Sequence, residues 1–160
     1  MPKIVNHEAY REDLVSRAAS YFAEHGYTAS SMRKIGTHLG VSKSALYHYF
    51  PNKESLFLAC TEFMMTRAGS DFCILGDHPV ETKIEKLTEI MRRDFGSEIS
   101  IMVDYMRGKS KEEIANDKAM KVALEVYESS VLAIVSKEEA RDTLAKIFGT
   151  LFLEYMRGEI

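Results

Sequence analysis

Gly40 stands between two amphipathic stretches so short that neither is stable as an isolated helix, and this most constrains how the chain begins to fold. Before it, Met32, Ile35 and Leu39 share one helical face, and after it Ala45, Leu46 and Tyr49 share another. A glycine supplies the permissive backbone for a tight turn, and Ser42 is placed to cap the helix that follows. Two short helices around such a turn predict a helix-turn-helix, which must lean on neighbouring helices for stability.

Those neighbours are legible. From Tyr10 to His25 the residues Tyr10, Leu14, Ala18, Tyr21 and Phe22 form one apolar face, closed by Gly26. Ser30, after Tyr27-Thr28-Ala29, is read as the cap of the second helix. Pro51-Asn52 interrupts the chain again, and a long helix starts at Lys53 with Asn52 as its cap, running through Leu56, Phe57, Cys60, Phe63 and Met64. Helical periodicity continues over Val80–Met91, over Ile99–Met106, over one long stretch from Lys111 to Val135, and from Lys137 to Arg157. No segment keeps the period-two alternation of a strand, so the fold class is all-α. An N-terminal three-helix helix-turn-helix domain over 1–56 is expected to precede a helical effector-binding and dimerisation domain over 57–160.

Charge bears on the partner. The net charge of −3 is uneven, because residues 1–56 hold seven lysines and arginines against five acids, net +2, leaving −5 for the rest. A mildly basic head on an acidic body suits contact with double-stranded DNA through one end. A recognition helix must bury one face and show small, polar and basic side chains to the major groove. Val41, Ala45, Leu46 and Tyr49 suit the first role, and Ser42, Lys43, Ser44 and His48 the second.

The stretch from Gly26 to Leu56 resembles the DNA-binding domain of the TetR repressor family along its whole length. Gly40-Val41-Ser42-Lys43, Leu46-Tyr47-His48-Tyr49-Phe50 and Asn52-Lys53-Glu54 with Leu56 carry the likeness. The resemblance implies that Tyr47 and Lys53 hold backbone phosphates, joined by Thr28 and by Ser30 or Ser31. Lys53 suits this role physically, since a helix N-terminus favours an anion. Its other reading is a solvated lysine, and for Tyr47 it is a core aromatic. The chain departs from the family at Lys34, where relatives often carry an acid, at Gly36, where alanine is usual, and in its shorter C-terminal part.

Beyond residue 56 no phosphate loop, nucleophile elbow or paired carboxylates are apparent, so an enzyme is not expected and no cofactor is implied. Histidine spacing offers no metal site. Phe63, Met64, Met91, Met102 and Tyr127 are candidate lining for a small, largely apolar effector, with ordinary core packing as the alternative. Leu144, Phe148, Leu151 and Tyr155 recur at spacings of 4, 3 and 4, a candidate homodimer seam that can instead pack within its own subunit. No apolar run or leader pattern points to a membrane or to export, so a cytoplasmic address is expected, with Cys60 and Cys73 as reduced, half-buried thiols. The expected function is a dimeric repressor of a palindromic operator released by an apolar ligand. A DNA-binding protein that is constitutive or controlled by a protein partner, a helical interaction module and an enzyme are the competing readings.

Overall fold

The computed structural model describes residues 6–72 and 76–160, so the expectation for Cys73 lies outside the described residues. Among the described residues there are nine α-helices and no strand: α1 His7–His25, α2 Met32–Leu39, α3 Lys43–Tyr49, α4 Lys53–Phe72, α5 Val80–Arg92, α6 Phe95–Met106, α7 Lys111–Asn116, α8 Lys118–Leu132 and α9 Lys137–Met156.

Local chemistry accounts for most boundaries. The Asn6 side chain accepts from the N–H groups of Glu8 and Ala9 and starts α1 three residues before Tyr10, and Gly26 ends it with φ 77°. Gly40 adopts the left-handed conformation, φ 71° and ψ 26°, and Ser42 caps α3 by accepting from the Ala45 N–H at 3.1 Å. Asn52 caps α4, its Oδ1 accepting from the Ser55 N–H at 2.7 Å.

Two expectations need correction. The cap of α2 is Ser31, which accepts from the Lys34 N–H, whereas Ser30 is buried and its hydroxyl donates back to the Gly26 carbonyl. The stretch 111–135 is two helices, broken at Asp117, whose backbone is extended at φ −67° and ψ 126°. Asp117 caps α8 through the Met120 N–H at 3.1 Å and also accepts from the Tyr105 hydroxyl at 2.7 Å and the Lys109 ammonium at 2.8 Å. Burial opposes ionisation there, but the bonds from Lys109 and Tyr105 outweigh it and hold the carboxyl below the usual aspartate range.

Two apolar cores result. The first joins Leu14, Ala18 and Phe22 of α1 to Ile35, Leu39, Leu46 and Phe50, continues through Leu56, Phe57 and Cys60 of α4, and takes in Tyr105 of α6 and Ala119 of α8. The second joins Leu87, Met91 and Phe95 to Val131, Ile147 and Leu151. α4 packs chiefly on α8 and α1, so one rigid element touches the helix-turn-helix unit and the C-terminal helices alike.

Three of the four residues of the seam expected on α9 turn inward, and Tyr155 stays exposed. Leu151 is fully buried, Leu144 and Phe148 pack on the second core, and the Tyr155 hydroxyl lies 3.2 Å from that of Ser100. The outward face of α9 lies about a third of a turn away and carries Ala145, Gly149, Phe152, Leu153 and Met156. Phe152, Leu153 and Met156 are 46%, 52% and 68% exposed and share this face, so it is an apolar patch.

Candidate nucleic-acid interface and the cavity behind it

α3 shows one polar face to solvent. Ser42, Lys43, Ser44, Tyr47 and His48 are all exposed, while Leu46 is buried and Val41, Ala45 and Tyr49 are half-buried against the helices behind. Tyr47 is therefore not a core aromatic, and the Lys43 ammonium rests 5.5 Å from its ring centre. Tyr49 and Phe50 supply the packing: the Tyr49 hydroxyl pairs with His7 Nδ1 at 2.9 Å, and Phe50 is buried beneath the Arg11 guanidinium. Gly36 lets the turn close on α2, since a Cβ there would meet the Val41 carbonyl oxygen at 3.3 Å.

Of the residues implied to hold phosphates, Thr28 and Ser31 are exposed beside α3, whereas the hydroxyl of Ser30 is committed inside the turn. Lys53 does more than occupy a helix start. Its ammonium donates to the carbonyls of Tyr27 at 2.9 Å and Ser30 at 3.0 Å and sits 4.0 Å from the Tyr27 ring centre. Burial lowers its pKa from the ordinary lysine value, against the pull of Asp104 and Glu54. Three N–H donors leave one for a phosphate. Arg33, Lys34 and Thr37 line an open depression on α2 with Ser31 and His38, a basic and polar cluster that the sequence reading did not single out. The adjacent basic pair just inside a capped helix was the available signal.

Behind this face, α6 grips the turn between α1 and α2. Asp104 Oδ2 accepts from the Thr28 N–H at 2.7 Å, and that bond holds the carboxyl below the ordinary aspartate value. Tyr105 stacks on Phe57 at 4.2 Å and meets Tyr27 edge-on at 4.7 Å. Asp104 and Tyr105 thus tie the C-terminal helices to the loop that Lys53 holds from the other side.

α6 also borders a cavity of about 450 Å³ that α1, α4 and α8 line with it. Met64, Met102 and Tyr127 of the expected lining are there, joined by Phe22, Met106 and Phe148. Phe63 and Met91 are not. Phe63 packs on the first core with the Arg67 guanidinium 5.7 Å from its ring centre, and Met91 is buried in the second core. Phe148, read from sequence as part of the dimer seam, lines the cavity instead. Cys60 lies at its wall fully buried rather than half-buried, and burial pushes its thiol up to about 12. Among the described residues no cluster of histidine, cysteine or acids is arranged to hold a metal, and no helix is long and apolar enough to cross a membrane.

Two short helices joined through a left-handed glycine, the second with a polar and basic outer face, define a helix-turn-helix DNA-binding protein. Residues 14–60 match the family described as bacterial regulatory proteins, tetR family, so the N-terminal part of the chain carries a domain of that family. Over 61 residues it is 39% identical to the HTH-type transcriptional repressor AcnR of Corynebacterium diphtheriae, a match covering 37% of this chain and 32% of that repressor. The chain therefore matches about a third of that relative's length. Among solved structures it is similar to Salmonella enterica GusR, with a TM-score of 0.66, 26% identity, and coverage of 93% of this chain and 85% of that one. The regulator FadR from Bacillus subtilis, solved in complex with stearoyl-CoA, shares the fold with a TM-score of 0.61 at 18% identity, covering 91% of this chain and 87% of that one.

Proposed function

We propose that the chain is a transcriptional repressor that binds a two-fold symmetric operator as a homodimer and leaves it when a small, largely apolar ligand fills the cavity behind α6. The observation that carries this reading is the exposed face of α3, where Ser42, Lys43, Ser44, Tyr47 and His48 stand together on a buried Leu46. Lys43, Ser44 and His48 are positioned to read base edges. Tyr47, Thr28, Ser31 and the remaining donor of Lys53 fit phosphates, with Arg33 added from α2.

One short helix reads too few bases for useful specificity, and a symmetric pair spaced about 34–36 Å apart meets successive major grooves. The apolar outer face of α9, with Phe152, Leu153 and Met156 beside the small Ala145 and Gly149, suits self-association about a two-fold axis. Gly149 has nothing within 4 Å of where a Cβ would stand, so a partner helix has room to approach.

The cavity supports the sensing part. Its wall includes α4 and α6, and both helices continue to the turn that carries Thr28 and Ser31. A ligand that binds better when these helices are displaced weakens operator binding by the same factor, typically about 5–150-fold. The AcnR relative is itself a repressor, and the FadR neighbour takes a ligand with a long apolar chain.

Binding to selected duplexes by Lys43→Ala and Tyr47→Phe tests the interface. Lys43→Ala is expected to relax base preference at one position and cost about 1–3 kcal/mol, and Tyr47→Phe to weaken all sequences alike. Wild-type binding by both variants would remove α3 from the interface.

A further inference from the structure

Glu98 is at odds with the cavity it lines. It stands on the first turn of α6 among Phe95, Ile99 and Met102, and burial raises its pKa, with the charge of Asp94 acting in the same direction and the Tyr127 hydroxyl against it. The Tyr127 hydroxyl donates to Oε2 at 2.7 Å. No other described residue gives the carboxyl a hydrogen bond or an ion pair, and the half-buried Glu98 lines the cavity. Among the described residues the other charged group of the lining is the exposed Asp94, also acidic, and no lysine, arginine or histidine lines it. The partial positive charge at the start of α6 favours a carboxylate but does not satisfy its second oxygen. A half-sunk carboxyl in an apolar cavity costs stability unless something completes its hydrogen bonding.

A second feature of the same wall points to the same kind of occupant. Phe95, Tyr127 and Phe148 all line the cavity and meet edge to face, Phe95 to Phe148 at 5.9 Å and Tyr127 to Phe148 at 5.1 Å. Aromatic rings beside a carboxylate favour a cation, and among the described residues no lysine, arginine or histidine lines the cavity.

We infer that the cavity takes an organic cation, an amine with an apolar body, whose positive group sits against Glu98 while its body lies among Met64, Met102 and Met106. This rests on the reading of the cavity as a ligand site and adds the chemical class of the ligand. The carboxylate orients the guest and excludes anions, and the methionines adapt to the shape of its body.

Calorimetric titration of the full chain, without DNA, with decylamine, decanol and decanoate below their micelle concentrations tests it. Decylammonium is expected to bind at least about tenfold tighter than decanol, with decanoate the weakest. Glu98→Gln keeps the bond from Tyr127 and is expected to bind decanol as before while losing the preference for the amine. Tyr127→Phe keeps the carboxylate and the preference, which separates loss of charge from loss of packing. Equal binding of amine and alcohol, tighter binding of decanoate, a Glu98→Gln variant that still prefers the amine, or no binding of any probe would each overturn the inference. A chain that binds decylammonium in this way but no operator leaves the inference standing and removes the regulatory reading.

Discussion

Replacing Lys53 by methionine removes a clamp while keeping its methylene stem. The ammonium makes two hydrogen bonds to carbonyls, at 2.9 and 3.0 Å, and one contact over the Tyr27 ring at 4.0 Å. Charged hydrogen bonds contribute about 1.5–3 kcal/mol when fully desolvated, and a cation over a ring about 0.5–1 kcal/mol at an exposed site. Lys53 is half-buried, so solvent screening reduces these values, and a loss of about 2 kcal/mol is expected. With a urea slope of about 2 kcal/mol per molar, the unfolding midpoint falls by about 1 M. If the third N–H also holds a phosphate, the salt slope of operator binding falls by about 0.9 in the same variant. An unchanged midpoint with a reduced slope would refute the clamp and leave Lys53 as a phosphate ligand alone.

The bond from Thr28 to Asp104 holds the aspartate below its ordinary 3.8, so its contribution to stability is present above that value and is lost as pH falls through the lower folded value. Urea midpoints of wild type and Asp104→Ala should therefore differ at pH 6 and converge in acid; a gap that persists in acid would assign the effect to packing. Phe152→Lys combined with Met156→Glu should sediment as a monomer and bind operator more than about tenfold more weakly, and a dimer that persists would move the interface off α9. Met102→Trp should narrow the 450 Å³ cavity and weaken decanol binding, leaving dimerisation intact by sedimentation; unchanged decanol binding would place the ligand elsewhere.

The helix-turn-helix was legible because its signals are local: Gly26, Gly40, Ser42 and Asn52 each sit within a few residues of the boundary they set. Ser30 and Ser31 are adjacent and chemically equal as caps, and tertiary packing decided between them by burying Ser30. The break at Asp117 was hidden because a capping aspartate reads like any surface acid until Tyr105 and Lys109 converge on it. α9 carries two apolar stripes, one through Leu144 and Leu151 and one through Phe152 and Met156, and periodicity alone does not say which turns inward. The Thr28–Asp104 bond joins residues 76 apart in the chain, so no local pattern announces it. Glu98 is the same case, a single acid on an apolar helix whose meaning depends on α8 bringing Tyr127 to it.

Selection of bound sequences from a pool of random duplex DNA tests the central claim most directly. The account predicts an enriched inverted repeat whose half-sites lie about one helical turn apart, lost in the Phe152→Lys, Met156→Glu variant and altered at a symmetric pair of positions by Lys43→Ala. Enrichment of no sequence at low salt, or of a single asymmetric site bound equally by the monomeric variant, would contradict it.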